Sequence, residues 1–561
     1  MKSLFGKAAG SVLLFLLCAG PMWAQSQDFK TGKSLDLFHG ILREIAVSYV
    51  DTVQIDKLVE TGIASILRSL DPYSEFIPEE DNESLELLVT GSYGGVGALV
   101  KQGPDGVILS EPYENSPAAK AGLVAGDCIL EIDGEPIKGL SVDVCTSRMK
   151  GQPDTEVRFK VRKIRGGEIV DVVVRRERVR FPDISYAGLI NPELGYIRIS
   201  GFTQGGAHDF KKAFAELQQL KTMKALVLDL RGNGGGSLDE AVEMVGTFLP
   251  GHTEVVSAKG RYDQMEMIYR TKEAPLDTHI PIAVLVDEHS ASASEILAGA
   301  MQDLDRGVVL GTRTFGKGLV QSIRPLGYNA KLKMTTARYY IPSGRSVQEL
   351  NYRDRSEDGR PGYTADSLRR AFKTRSGRTV YEGSGITPDV KVEEENYSRI
   401  AMDLHGRDIL RDFAIDYYAR HENASAPEDF ILGSEEYLNF VDFAIDKGFD
   451  DRSATEIMLG QMMQMARREQ YDSLAMGQME ALKTLISEDK KDDLLRHEAE
   501  LTQIIEAEIS SLYYYQKGRY RSLLRQDPVL QKAMELLAQP EAYKNLLQGK
   551  VEETVESDIN P

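Results

Sequence analysis

Apolar residues recur at helical spacing near the start of the chain. Leucine and isoleucine positions between residues 34 and 67 repeat every three or four residues, which is typical of helices with one apolar face. Asp71-Pro72 is expected to end the second helix, because proline lacks an N–H and disfavours helix in the residue before it. The sequence therefore predicts a helical N-terminal region over residues 25–83.

The pattern changes to short strands and glycine turns between residues 84 and 165. Gly94–Val100 is typical of a glycine turn entering a strand, and Ile129–Ile132 predicts a strand that ends in a tight Asp-Gly turn. Short helices are predicted over Ser116–Gly122, which begins with a serine cap, and over Val142–Met149. The segment should form a small domain made mainly of strands.

Strands and helices alternate from residue 166 to residue 399. Ala225–Leu230 and Ile282–Val286 are continuous apolar runs of strand length, which is typical of strands buried on both faces of a sheet. Helices are predicted over Leu238–Phe248 and Ser294–Leu304. The alternation predicts an α/β core.

The rest of the chain, residues 400–561, is charged, poor in glycine and predicted to be helical. The expected fold class is therefore a multi-domain α/β and β protein with helical regions at both ends. The net charge of −19 argues against nucleic acid as a partner, because no basic stripe is present to neutralise phosphates.

Residues 1–24 have the pattern of a secretory signal peptide. Lys2 and Lys7 precede the apolar run Val12–Cys18, which is too short to span a bilayer, and Ala24 ends a candidate cleavage site. The alternatives are an uncleaved anchor and a lipoprotein with Cys18 as the lipidated residue. The sequence thus predicts an exported, periplasmic protein that is free or membrane-associated.

A serine-rich turn follows the predicted buried strand Ile282–Val286. Ser290, Ser292 and Ser294 alternate with alanines where a helix is predicted to begin. Free backbone N–H groups and the helix dipole favour a developing negative charge at such a place. A serine there can also be a plain helix cap, but one cap is enough and three serines are present. The turn is a candidate nucleophile site.

A serine nucleophile needs a general base. The eight histidines show no triad-like setting, although spacing alone does not exclude them. Lys317 lies between two glycines and can act as a base if burial or a positive dipole lowers its pKa. Gln321 is four residues further, on the same face of a strand, and its amide could orient the amine. Taken alone, Lys317 fits a surface lysine in a glycine turn better.

Asp229–Gly236 follows the other predicted buried strand. Ligands bind at the carboxyl ends of strands in open α/β sheets, and a glycine run there can present backbone N–H groups as an oxyanion hole. A phosphate loop is disfavoured, because the Gly-Lys-Ser/Thr ending is absent. A plain loop is the remaining alternative.

The order and spacing of several motifs resemble those of the C-terminal processing peptidases, also called tail-specific proteases. The resemblance covers about residues 34–395. This family usually has histidine where the present chain has Tyr73. The motifs that carry the resemblance are Ser292, Lys317 and Gln321, the loop Asp229–Gly236, and the segments Asp71–Ser74, Pro342–Gln348 and Gly385–Val390.

The resemblance implies a serine endopeptidase that needs no cofactor or metal. It assigns Ser292 as the nucleophile and Lys317 as the base, and it leaves Ser290 and Ser294 with structural roles. Further roles fall to Gln321, to Asp303 as a supporting residue, and to an oxyanion hole formed by the backbone N–H groups of Ala293 and of Gly235 or Gly236.

Residues 84–165 resemble the PDZ domain of the same family. The resemblance implies that this domain binds flexible C-terminal tails of protein substrates by adding them as a strand, and that Lys150, before Gly151, takes part in gating. The loop expected to hold the terminal carboxylate consists of Gly94, Gly95, Val96, Gly97, Ala98 and Leu99.

Two other hypotheses remain at this point. One is a PDZ scaffold with a catalytically silent peptidase core. The other is a regulated protease held closed, in which residues 400–561 form a homo-oligomer contact or bind a regulatory partner.

Overall fold

The computed structural model describes residues 28–550, except 263, 265, 357, 364, 394–396, 450–453 and 487–489. The predicted signal peptide, including Cys18, lies outside the described residues. Two compact units are present. The first contains the described residues up to Pro78 together with Ser322–Thr335, and the second contains Glu79–Gln321 and the chain from Thr336 onward.

The first unit combines helices with a strand pair. Strand β1 pairs antiparallel with residues 331–333. The elements of this unit before residue 79 are α1 over residues 28–48, α2 over Ile55–Leu70 and β1 over Glu75–Ile77. Helix α2 ends directly before Asp71-Pro72, which confirms the predicted stop.

The Asp71–Ser74 motif forms a turn within this unit that is held by the Asp71 side chain. The buried Asp71 carboxylate accepts the backbone N–H groups of Tyr73 and Ser74, both at 2.8 Å. The Thr335 N–H donates to the Ser74 hydroxyl at 3.2 Å. The motif therefore fixes how the chain leaves α2 and enters β1.

The second unit opens with a small β domain in which five strands form a sheet in the order β3-β4-β5-β7-β8, with β6 beside β5 and β2 paired with β9. The domain has its own apolar core, to which α5 contributes Cys145 and Met149. Its elements are α3 Asn82–Thr90, β2 Ser92–Gly95, β3 Ala98–Gln102, β4 Val107–Pro112, α4 Pro117–Lys120, β5 Cys128–Ile132, β6 Glu135–Pro136, α5 Val142–Met149, β7 Glu156–Arg162, β8 Ile169–Arg175 and β9 Glu177–Arg180.

An α/β core follows, with a six-stranded sheet in the order β10-β11-β12-β15-β16-β23. Strand β10 is antiparallel to β11, and the other neighbours are parallel. The elements are β10 Ile184–Asn191, β11 Leu194–Ile199, α6 Gly206–Gln219, β12 Ala225–Asp229, α7 Leu238–Val245, β13 Glu254–Gly260, β14 Met267–Arg270, β15 Ile282–Val286, α8 Ala293–Asp303, β16 Val308–Gly311, β17 Leu319–Pro325, β18 Lys331–Tyr340, β19 Leu350–Arg355, β20 Pro361–Tyr363, β21 Ala371–Lys373, β22 Thr379–Tyr381 and β23 Val390–Lys391.

The last part of the chain is helical, as predicted. Helix α15 changes direction at Tyr515, whose φ is 57°. The helices are α9 Arg399–Gly406, α10 Ile409–Arg420, α11 Ser434–Asp446, α12 Ala454–Arg468, α13 Ser473–Ile486, α14 Lys490–Arg496, α15 Glu498–Leu523, α16 Pro528–Leu537 and α17 Pro540–Leu547. Over the described ranges, none of the helices combines the length and the apolarity needed to cross a membrane.

The core sheet is covered on both faces by helices from distant parts of the chain. Helices α6, α7 and α8 pack on one face. On the other face, α16 and α17 pack against Val227 and Leu285 of the central strands. The Tyr543 hydroxyl of α17 lies 3.0 Å from both the backbone N and O of Ile282. The sequence indicated helices here but did not show that they complete the core.

The small β domain is joined to the C-terminal helices by buried charges. The Arg411 side chain, only 9% exposed, donates to Glu508 at 2.8 Å and to the Ser110 carbonyl at 2.6 Å. Lys101 on β3 pairs with Asp412 on α10. The contacts to the Ser110 carbonyl and from Lys101 to Asp412 cross from the β domain to the helices, whereas the Arg411–Glu508 pair joins α10 to α15.

The predicted fold class is confirmed: a helical start, a PDZ-type β domain, an α/β core and a helical C-terminal region. Strand β15 and helix α5 have the predicted bounds. Helix α7 ends three residues earlier than predicted, at Val245.

Candidate active site

The serine turn joins the carboxyl end of β15 to α8. Ser292 caps α8 with φ 56° and ψ −111°, a backbone conformation that costs energy for a residue with a side chain and is often found at functional sites. Ala291 and Ala293 on either side are buried, whereas Ser292 is partly exposed. The turn therefore presents one serine and encloses its neighbours.

The other two serines of the motif hold the turn in place. The Ser290 hydroxyl lies 2.9 Å from the Leu230 carbonyl, and the Ser294 hydroxyl donates to the Asn233 carbonyl at 2.9 Å. Both side chains are fully buried. These contacts fit the structural roles expected for Ser290 and Ser294.

Asn233 fastens the glycine loop to the serine turn. Its carbonyl accepts the Ala291 N–H at 3.0 Å, and its side-chain amide donates to the Ile199 carbonyl at 2.8 Å. The sequence analysis gave Asn233 no separate role. The available signal was an asparagine among glycines, because its side-chain amide can hydrogen-bond the backbone of such a loop.

The two glycines proposed for the oxyanion hole have different surroundings. A Cβ on Gly235 would lie 2.8 Å from the Ser292 Cβ and 2.9 Å from the Ala293 nitrogen, so only glycine fits there. The Gly235 N–H, however, already donates to Asn233 Oδ1 at 2.9 Å. Among the described residues, the N–H groups of Gly236 and Ala293 have no acceptor, which favours Gly236 over Gly235 as the donor.

Lys317 is half-buried in residues 312–318, here called the base loop. Strand β17 begins only at Leu319, so Lys317 precedes the strand. The alternation of a strand therefore does not by itself place Lys317 and Gln321 on one face. The role predicted for Gln321 also rests on the family resemblance, and it stays a prediction.

One carboxylate binds both the serine turn and the base loop. Glu295 Oε2 accepts the backbone N–H groups of Ser292 and Lys317, each at 2.9 Å. Its Oε1 accepts the Thr314 hydroxyl and the Gly316 N–H, each at 2.7 Å. The backbone N–H groups of the predicted nucleophile and the predicted base are thus bound to the same oxygen atom.

Glu295 is fully buried, and its four hydrogen bonds come from neutral groups. Burial raises the pKa of this carboxyl, and the donated hydrogen bonds only partly offset that effect. The sequence analysis assigned no role to Glu295. The spacing Ser292-x-x-Glu295 is that of a capping box and was the signal that could have identified one of its contacts.

Asp303 lies at the other end of α8 and supports the segment Pro342–Gln348. Its carboxylate pairs with the buried Arg345 guanidinium at 2.8 Å and accepts the Ser343 N–H at 3.0 Å. Gln348 in turn accepts the Gly318 N–H at 2.8 Å. Asp303 therefore contacts a segment that in turn contacts the base loop.

A second buried carboxylate, Asp229, lies at the end of β12. It pairs with Arg198 at 2.9 Å and with Arg231 at 2.7 Å. Burial opposes its ionisation, but the Arg231 and Arg198 guanidiniums more than offset this and hold its pKa well below the usual range. Arg231 also pairs with Asp527, the cap of α16, so this cluster ties the glycine loop to the C-terminal helices.

The predicted carboxylate-binding loop of the β domain is divided between two strands and a turn. Gly94 and Gly95 belong to β2, and Ala98 and Leu99 belong to β3, so Val96 and Gly97 alone form the turn. Strand β3 is at the edge of its sheet. Helix α5 packs beside β3.

Both the edge strand and α5 carry an exposed apolar side chain. Leu99 is 49% exposed and Val144 on α5 is 42% exposed. Lys150, expected in gating, lies after α5 with its amine 5.7 Å from the centre of the Tyr93 ring.

Three segments of the chain match known families. Residues 193–352 match peptidase family S41, residues 108–163 match the PDZ domain, and residues 400–537 match the family described as a probable PDZ-protease, C-terminal helical domain.

Two relatives in sequence agree with these matches. A carboxy-terminal-processing protease of Bartonella bacilliformis is 36% identical over 60% of this chain and 79% of its own length. A probable CtpA-like serine protease of Staphylococcus aureus is 33% identical over 57% of this chain and 64% of its own. A solved photosystem II D1 C-terminal processing protease is 27% identical, covering 63% of this chain and 85% of that chain with a TM-score of 0.33.

Proposed function

This chain belongs to peptidase family S41 and is a serine peptidase, and we propose that it cleaves protein substrates at or near their C-terminal tails through an acyl-enzyme on Ser292. The observation that carries the proposal is the pair of hydrogen bonds at Glu295 Oε2. They bring the backbones of Ser292 and Lys317 to one atom.

In the proposed mechanism, neutral Lys317 accepts the Ser292 hydroxyl proton as that oxygen attacks the substrate carbonyl. The N–H groups of Ala293 and Gly236 stabilise the oxyanion of the tetrahedral intermediate. The lysine ammonium then gives its proton to the leaving amine, and water hydrolyses the ester. Gln321 orients the lysine amine.

Cleavage of a model protein with an unstructured C-terminal tail tests the proposal. Ser292→Ala and Lys317→Ala should each abolish the shortened product seen by mass spectrometry, while the far-UV circular dichroism is unchanged. Lys212→Ala is the matched control, because Lys212 is exposed on α6. Wild-type cleavage by either site variant would contradict the assignment.

We further propose that the groove between β3 and α5 binds the substrate tail. An edge strand offers unpaired backbone groups to an added strand. In the Ser292→Ala background, which prevents cleavage, a labelled tail peptide should bind about tenfold more weakly after Val144→Asp, a loss of about 1.4 kcal/mol.

Val173→Asp is the control for this binding test. Val173 is 51% exposed on β8, at the opposite edge of the sheet. Equal affinity of the Val144 and Val173 variants would contradict the placement of the tail.

Export rests on the sequence of residues 1–24. We propose cleavage after Ala24, so that the mature protein begins at Gln25. Mass spectrometry of the N-terminus after expression with the native leader tests this. A retained Met1 would indicate an anchor, and a lipidated Cys18 would indicate a lipoprotein.

A partner-binding role for residues 400–561 needs a test that spares the core, because α16 and α17 cover its sheet. Removing residues 454–486, which contain α12 and α13, is the suitable deletion. Helix α12 exposes Met458 at 68% and Met465 at 58%. A fall in solution mass beyond the deleted residues would support a homo-oligomer through these helices, and an unchanged oligomeric state would contradict it.

A further inference from the structure

Glu295 has more contacts than helix capping requires. A glutamate in the first turn of a helix often closes a capping box by accepting the N–H of the cap residue, and Glu295 accepts the Ser292 N–H in this way. Its other three hydrogen bonds come from the base loop, from Thr314, Gly316 and Lys317. Capping therefore explains one contact of four.

We infer that Glu295 is a positioning residue that holds the Ser292 turn and the base loop at the separation needed for proton transfer. The inference rests on the proposed pairing of Ser292 with Lys317. Glu295 does not touch the reacting bond, and its effect is exerted through the backbones of those two residues.

Irregular backbone on both sides makes such a residue necessary. Ser292 has a positive φ, and the base loop precedes β17, so no strand ladder sets the distance between them. A backbone bond from Phe315 to Ser290, at 3.0 Å, also joins the two segments. Among the described residues, however, only Glu295 binds the amides of both Ser292 and Lys317.

The chemistry of the site calls for a carboxylate. All four partners are donors, and an ionised carboxylate offers acceptors on both oxygens. A glutamine has one oxygen and one NH₂ group, so its NH₂ group would face two of the four donors. The amide cannot satisfy both segments, and one of them should move away.

Glu240 provides a matched control within the same chain. It occupies the same position in α7, three residues after the cap Ser237. Its carboxylate also accepts backbone N–H groups, those of Gly205 and Ala207 at 2.9 and 2.8 Å. Those partners lie at the start of α6, outside the serine turn and the base loop.

The experiment measures kcat, KM and the pH profile of the full chain on a tail-bearing substrate. Glu295→Gln should lower kcat about 100-fold, the effect of a misplacement of about 1 Å, with KM within about twofold. The acidic limb of kcat/KM reports the base in the free enzyme. It should shift to lower pH, because a nearby negative charge favours the lysine ammonium. Glu240→Gln should change none of these.

Glu295→Asp keeps the charge and shortens the side chain, and it is measured alongside in case the glutamine variant does not fold. An intermediate loss in kcat with unchanged KM supports the inference, and a wild-type kcat in the aspartate variant overturns it. A glutamine variant that matches Glu240→Gln also overturns it.

The Ser292→Ala variant distinguishes failure of the proposed function from failure of the inference about Glu295. If Ser292→Ala still cleaves, the proposed function is wrong. If it is inactive while Glu295→Gln behaves like the control, only the inference fails.

Discussion

Two fully buried carboxylates lie near the carboxyl ends of the central strands, and their partners differ in charge. Asp229 ends β12 and is paired with Arg198 and Arg231. Glu295 follows β15 and receives hydrogen bonds from neutral groups. The pKa of Asp229 is lowered and the pKa of Glu295 is raised, although burial acts on both in the same direction.

The difference separates a charge-compensated structural junction from one at the proposed active site. Arginines around Asp229 compensate its charge and join β11, β12 and α16. Neutral donors satisfy the Glu295 carboxylate without a compensating positive charge, so this carboxyl ionises less readily than Asp229.

The largest expected effect is on stability at the arginine-paired site. Asp229→Asn leaves the Arg198 guanidinium without its carboxylate partner and Arg231 with Asp527 alone, which should lower the free energy of unfolding by about 3–5 kcal/mol. Urea denaturation measures the change. Asp171→Asn on β8, where the side chain is exposed, should stay within about 0.5 kcal/mol, and equal effects of the two substitutions would contradict the comparison.

Removing one neutral donor from Glu295 should have a smaller effect. The Thr314 hydroxyl donates to Glu295 and accepts the Ile386 N–H at 2.6 Å. Thr314→Val should therefore lower the free energy of unfolding by about 3 kcal/mol. Thr314→Ser keeps the hydroxyl and should cost much less, and a serine variant as unstable as the valine variant would point to lost packing instead.

Lowering the pH should change the contributions of Asp229 and Glu295 to the free energy of unfolding in opposite directions. Asp229 has a lowered folded pKa, so its contribution to stability is present above the unfolded value of about 3.9 and is lost as pH falls below it. Glu295 has a raised folded pKa, so the wild type should gain stability relative to Glu295→Gln as pH falls toward about 4.3. The difference in unfolding free energy between the wild type and the variant at each site should change by up to about 1.4 kcal/mol per pH unit.

Urea denaturation midpoints measured from about pH 3 to about pH 7 give the stability difference between the wild type and each variant. This range includes the unfolded pKa values of both carboxyls. Slopes of the same sign for the two variants would contradict the assigned directions.

The smallest effect is expected from Tyr196→Phe. The Tyr196 hydroxyl donates to Asp229, but two arginines remain on that carboxylate. The variant should lose about 1 kcal/mol of unfolding free energy. A loss as large as that of Asp229→Asn would mean that the hydroxyl, and not the arginines, stabilises the charge.

The sequence predicted the elements best where apolar runs were bounded by turn residues. Ile282–Val286 has the predicted bounds because buried parallel strands are apolar on both faces. The role of α16 and α17 was not predictable in the same way. Their amphipathic pattern shows that one face is buried, but not that the sheet of residues 184–391 lies under it.

The candidate site was predictable in its parts and not in its connections. Ser292 and Lys317 came from motif order and spacing. Glu295 was missed because its partners in the base loop are 19 to 22 residues away in sequence, beyond the reach of any local pattern. The common strand face expected for Lys317 and Gln321 rested on a strand that begins only two residues after Lys317.

Covalent labelling by a serine-reactive fluorophosphonate tests the pairing of Ser292 and Lys317 most directly, with the labelled peptide identified by mass spectrometry. The account predicts label on Ser292 and a labelling rate that falls about 100-fold or more in Lys317→Ala but not in Lys212→Ala. Label on Ser290 or Ser294, or a wild-type rate in Lys317→Ala, would contradict it.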